Sequence, residues 1–155
     1  MRRAIDVDGR SDTTFYNYGI VLKALYRSND ALDAFSKAIA INPSVPESWN
    51  NRGTVLNDLR RFDDALRDFD RAIALRPNYA EALLNLGNSL TELRRYDEAL
   101  AAYERALNIK PDLAEAWSGR GNVLFKIGRY DDALAFMDKA DAIKPGVEYL
   151  AGLRM

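Results

Sequence analysis

The chain repeats itself every 34 residues. Ala80–Pro111 reads AEALLNLGNSLTELRRYDEALAAYERALNIKP, and from Ala114 the sequence continues AEAWSGRGNVLFKIGRYDDALAFMDKADAIKP. The same period aligns four blocks: 12–45, 46–79, 80–113 and 114–147. Self-similarity at this spacing builds a stack of supersecondary units rather than one closed fold, because each unit leaves an apolar face that its neighbour must cover.

Each block carries two helical patterns. In the third, Leu83, Leu86, Leu90 and Leu93 recur at helical spacing, followed by Tyr96, Ala99, Leu100, Tyr103, Ala106 and Leu107. The breaks between them are short enough only for tight antiparallel turns, so the expected unit is a helical hairpin and the fold is all-α. Asp63, Asp97 and Asp131, with Asn29 in the first block, stand where second helices should begin and are expected to cap them. Pro43, Pro77, Pro111 and Pro145 end the second helices. The acid pairs Asp63–Asp64, Asp97–Glu98 and Asp131–Asp132 recur at helix starts and are therefore read as capping groups rather than catalytic carboxylates.

Small residues set the packing. Gly19, Gly53, Gly87 and Gly121 sit inside first helices, where glycine costs about 1 kcal/mol relative to alanine. Four in register imply a neighbouring backbone too close for a Cβ. Ala31, Ala65, Ala99 and Ala133, and Ala38, Ala72, Ala106 and Ala140, repeat on the second helices, interleaved with Phe35, Phe69, Tyr103 and Met137. Trp49 and Trp117 fall at a repeating large-residue position and are read as core.

This pattern resembles the tetratricopeptide repeat. The family's succession of large apolar, glycine, alanine, aromatic, alanine and proline positions is matched by Leu83, Leu86–Gly87, Leu90, Tyr96, Ala99, Tyr103, Ala106 and Pro111, and the match runs over residues 12–147. Arg52 and Arg120 depart from it before the glycine, and Ser28 replaces the aromatic present as Phe62, Tyr96 and Tyr130. The resemblance implies a right-handed superhelical solenoid whose first helices line a concave groove, and a non-catalytic scaffold that binds an extended peptide or a partner helix there.

Composition narrows the chemistry. Cys and His are both absent, which removes thiolate nucleophiles, disulfides, imidazole catalysis and the usual zinc ligands. No enzyme activity, metal or cofactor is expected. Net charge is −1 with both signs spread along the chain, giving no basic field for nucleic acid or an anionic membrane. No apolar run reaches the length of a membrane span, and a cytoplasmic protein is expected.

The groove residues implied by the resemblance begin with Asn17, Asn51 and Asn85, where the fourth block has Gly119. An asparagine amide offers a donor and an acceptor, so a row of them can hold a peptide backbone whatever its side chains. The row resembles the asparagine ladder of O-linked N-acetylglucosamine transferases, which leaves open that the chain is the substrate-recognition arm of a larger glycosyltransferase. Neighbouring positions add Glu47, Glu81 and Glu115, then Asn88 and Asn122, with Lys23 and Lys126 near the helix ends. The carboxylate clamp of chaperone-binding members is not matched, since Tyr16, Ile20, Glu81 and Asn85 occupy its positions.

Residues 1–11 read as the remnant of a preceding second helix, and 148–155 as the start of a further one, with Tyr149–Leu153 expected to cap the last hairpin. The chain is expected to be a monomer or to self-associate weakly end to end, the latter as a structural array.

Overall fold

The computed structural model describes residues 9–146. Most of the expected N-terminal remnant, and all of the expected cap at 148–155, lie outside the described residues. Within them the regular elements are eight α-helices: α1 (Asp12–Ala24), α2 (Ser28–Ile41), α3 (Pro46–Asp58), α4 (Phe62–Leu75), α5 (Ala80–Glu92), α6 (Tyr96–Ile109), α7 (Ala114–Lys126) and α8 (Tyr130–Ile143). The all-α hairpin fold read from the repeat is the fold observed. The chain divides into two compact units, Met1–Pro77 and Asn78–Met155. In the first, α1 packs with α2 and α3 with α4, and α3 also rests on α2 and touches α1. The second repeats this with α5–α8: two hairpins, with α7 against both α6 and α5.

Every hairpin tip is built the same way. Tyr26, Arg60 and Arg94 adopt left-handed backbone at φ 57°, 58° and 57°, and Gly128 does so at φ 81°. Each of these residues donates its N–H to the carbonyl three residues back in the preceding helix, and the following arginine donates to the carbonyl five residues before it (Arg27 to Leu22 at 2.9 Å, Arg61 to Leu56 at 2.8 Å). That double closure is a Schellman motif. The same arginine, Arg27, Arg61, Arg95 or Arg129, is the N-cap of the next helix. Asp63, Asp97, Asp131 and Asn29 therefore do not cap, since each lies one residue inside the helix. Instead the acid after them salt-bridges the cap arginine: Arg27–Asp30 (2.8 Å), Arg61–Asp64 (2.7 Å), Arg95–Glu98 (2.6 Å) and Arg129–Asp132 (2.6 Å). The hydrogen bond from Arg95 holds the Glu98 carboxyl below its usual range. The acids still suit the positive end of the helix dipole.

The recurring glycines have a different neighbour from the one expected. A Cβ on Gly19, Gly53 or Gly87 would lie 2.7, 2.5 or 2.6 Å from an aromatic ring, that of Phe35, Phe69 or Tyr103 on the paired helix. Side chain, not backbone, fills the space. In the last hairpin Met137 replaces the ring, and there a Cβ on Gly121 would meet Met137 Cγ at 2.9 Å and the carbonyl oxygen of Ala133 at 3.1 Å. Phe35, Phe69 and Tyr103 are among the most buried large side chains of the molecule.

The two departures before the glycine are compensated sixteen residues later, on the paired helix. Arg52 grips the buried Asp68 with two bonds of 2.7 Å and reaches Ser36 on α2 at 3.3 Å. Arg120 lies over the Phe136 ring at 4.5 Å. Trp49 and Trp117 are only partly buried, and each indole N–H donates to the carbonyl of a loop proline, Pro43 or Pro111, at 2.8 Å. They tie the first helix of the second hairpin in each unit to the connector that precedes it.

Substitutions at the glycines and at the tips should have opposite signs. Gly87→Ala should lose about 1–3 kcal/mol by overpacking against Tyr103 despite alanine's helix propensity. Arg94→Gly should gain about 0.5–1 kcal/mol by relieving the left-handed backbone. Urea-unfolding midpoints of the two variants check both signs.

Candidate functional site: the first-helix faces

In the first unit α1 meets α3, whereas α2 makes no such contact with α4, so the first helices converge on one face. Two polar pairs mark it. Asn51 Nδ2 donates to Tyr16 Oη at 3.2 Å and to its own helix at Glu47 O at 3.0 Å. Lys23 Nζ donates to Thr54 Oγ1 at 2.6 Å. Burial pushes the Lys23 ammonium below its usual pKa, against the opposing pull of Asp58. Burial and the Glu47 charge raise the Tyr16 hydroxyl, while the Asn51 bond acts the other way. Asn17, one residue beyond Tyr16, is exposed, as is Ile20.

In the second unit the corresponding face is arranged around Tyr103. Its hydroxyl donates to Asn88 Oδ1 at 2.8 Å and lies 3.2 Å from Thr91 Oγ1. Burial pushes its pKa up to about 12. A Cβ on Gly119 would come within 2.6 Å of Tyr103 Cζ. This accounts for the gap in the asparagine row: the tyrosine ring occupies the place where a fourth asparagine would begin. Asn122 has a buried Oδ1 without a hydrogen-bond partner, and Asn85 is partly buried on α5.

The glutamates are less available than the sequence suggests. Glu47 pairs with Arg76, the residue that ends α4, and Glu115 pairs with Lys144, which ends α8, at 3.1 Å. Hydrogen bonds from its own backbone and from Lys144 hold Glu115 below the usual carboxylate range. Each of these ion pairs clasps the open end of its own hairpin. Glu81 and Lys126 are exposed. Sequence reasoning missed Tyr16 and Tyr103 as residues that organise these faces. The one visible signal was that tyrosine at 103 coincides with glycine at 119.

Two models of the tetratricopeptide repeat match the sequence, one over residues 44–112 and the other over 90–154, and together they span well over half of it. The chain belongs to the tetratricopeptide repeat family. Among solved structures, this tetratricopeptide-repeat protein is similar to MamA, with 26% identity and a TM-score of 0.80 over 85% of this chain and 77% of MamA. It is also similar to YrrB, described as a tetratricopeptide-repeat protein with an unusual peptide-binding site, with 29% identity and a TM-score of 0.77 over 88% of this chain and 70% of that one. The first repeat domain of Spaghetti (RPAP3), solved bound to the HSP90 peptide SRMEEVD, matches with a TM-score of 0.74 over 80% of this chain and 97% of that one, and at 23% identity it shows the shared fold alone. No curated protein matches the sequence. Among the described residues no acidic cluster could hold a metal, and no helix is long and apolar enough to cross a membrane.

Two measurements probe the Tyr103 arrangement. The folded tyrosine stays neutral up to about 12 while the unfolded one ionises near 10, so stability should fall as pH rises between those values, by about 2–3 kcal/mol in all. Tyr103→Phe should lack that component, and the stability difference between wild type and variant across this alkaline range reads it. Separately, Gly119→Asn should cost about 1–3 kcal/mol by overpacking against the ring, seen as a lower urea midpoint.

Proposed function

We propose that this chain is a non-catalytic cytosolic scaffold that binds an extended peptide, or a partner helix, along its first-helix faces. The observation that carries the reading is the α1–α3 face, where exposed Asn17 stands beside exposed Ile20 and the Tyr16–Asn51 pair. Asn17 offers a whole amide to a ligand. Asn51, its Nδ2 engaged by Tyr16 and Glu47, offers its Oδ1 to a backbone N–H. Tyr16 fixes the Asn51 rotamer before any ligand arrives, which lowers the entropy lost on binding. Ile20 supplies an apolar contact. YrrB, similar over most of its length and described as having a peptide-binding site, supports the same reading.

On the second unit the proposal assigns the peptide-facing positions to Asn85, Asn88, Asn122, Glu81, Glu115 and Lys126. Asn88 enters with its Oδ1 held by Tyr103, and Glu115 with its charge already shared with Lys144. Glu47 is in the same state in the first unit, held by Arg76. The glutamates therefore tune ligand charge weakly, and the amides carry recognition.

Peptides selected on the full chain from a displayed random library provide the probe. Asn17→Ala, Asn51→Ala and Asn85→Ala combined should weaken the selected peptide at least about tenfold, each lost hydrogen bond contributing about 0.5–1.5 kcal/mol, with the helical circular-dichroism signal unchanged. An unaltered Kd in the triple variant removes the asparagines from the site.

A further inference from the structure

The interface between the hairpins of the first unit provides a template for surfaces that are exposed elsewhere. There Val55 of α3 is fully buried in a cluster with Ala31, Ala34 and Phe35, and Leu32 of α2 and Leu59, the C-cap of α3, pack against it. One period earlier, the same positions are Val21 of α1 and its C-cap Leu25, which are 57% and 62% exposed. Three periods after Leu32 stands Leu134 of α8, 61% exposed. Thus Val21 and Leu25 stand at the positions that α3 and its C-cap present to α2, Leu134 of α8 stands at a position that receives them, and all three are exposed.

We propose that these two surfaces bind each other between copies of the chain, α1 of one molecule seating on α8 of the next in the register of α3 on α2. The polar and apolar contacts of the template carry across in matched pairs. Where Lys23 meets Thr54 within the unit, the intermolecular register brings Phe125 to Ile20, an apolar pair replacing a polar one. Where Arg52 reaches Ser36, it brings the Tyr18 hydroxyl to the Asp138 carboxylate, a donor to an acceptor. Where Asn51 donates to Tyr16, it brings Asn17 to Ser118. Leu25 and Val21 fall on Leu134. The buried neighbours of Val55, namely Ala31, Ala34 and Phe35, become Ala133, Phe136 and Met137 on α8, so the receiving surface stays apolar while its shape changes. Because the two surfaces differ, the contact is heterologous and does not close on itself, so assembly is open-ended. This goes beyond the peptide-binding reading and does not depend on it.

Sedimentation velocity on the full chain, from micromolar to millimolar, tests the proposal. The wild-type mass should rise steadily without settling at one oligomer. Val21→Glu and Leu134→Glu should each remain monomeric alone, because each spoils one of the two surfaces. Mixed, they should form a dimer and stop there, since the intact α1 of the Leu134→Glu chain can seat on the intact α8 of the Val21→Glu chain. A wild type that stays monomeric throughout, a single variant that associates as wild type does, or a mixture that gives no dimer would each overturn the proposal. Both positions are exposed, so folding should be unaffected. If circular dichroism shows otherwise, Val21→Thr and Leu134→Thr replace them in the same experiment.

Discussion

The structure depends on one contact made in each hairpin: a side chain of the second helix pressed against a glycine of the first. With no Cβ beneath it, the ring of Phe35, Phe69 or Tyr103 sinks against the helix backbone and is sealed from water. Burying such a side chain is worth about 1.5–3 kcal/mol, which outweighs the helix propensity lost at the glycine. The contact also sets the distance between paired helices, and the alanines at 31, 65, 99 and 133 stay buried at that distance. Neither residue achieves this alone. The repeat is therefore a repetition of a pair, sixteen residues apart, more than of any single letter.

The same offset governs the exceptions. Arg52 would be an unpaired charge in a half-buried position, and Asp68 meets it from the paired helix with two hydrogen bonds. Charges removed from water need such partners, since breaking a buried pair leaves an uncompensated ion. Arg120 finds a ring instead, Phe136, and the two solutions differ in kind at equivalent positions. Tyr103 adds a hydroxyl to the buried ring, and Asn88, Thr91 and Gly119 accommodate it together. Variation in this chain comes in sets of residues that touch.

Much of this was legible in the sequence, because periodicity and small-residue register report on packing directly. The hairpins, the all-α class and the ends of the helices at the prolines follow from the pattern. Two inferences needed coordinates. Four glycines in register announce a close approach without saying what approaches, and a ring on a facing helix leaves the same trace as a backbone. The acids at helix starts suggested caps, yet the left-handed residue at each tip places the boundary two residues earlier and gives the cap to arginine. An arginine followed three residues later by an acid recurs in all four blocks, and that spacing was the signal for the salt bridge. The candidate site was less legible. Asn17, Asn51 and Asn85 look equivalent as letters, but Asn51 is held by Tyr16 while Asn17 is exposed, a distinction that arises between helices rather than along one.

The shared arginine at each hairpin tip has a consequence for how the family's sequences can change length. One residue both closes the helix behind it and opens the helix ahead, so no spare position separates the two elements. An insertion there would have to break the closing hydrogen bonds or shift the salt bridge out of reach, and a deletion would remove the left-handed step that reverses the chain. The connectors after the prolines carry no such double duty. Additions and losses of residues should therefore accumulate between hairpins and be excluded from their tips, which keeps each hairpin a unit that can be duplicated whole.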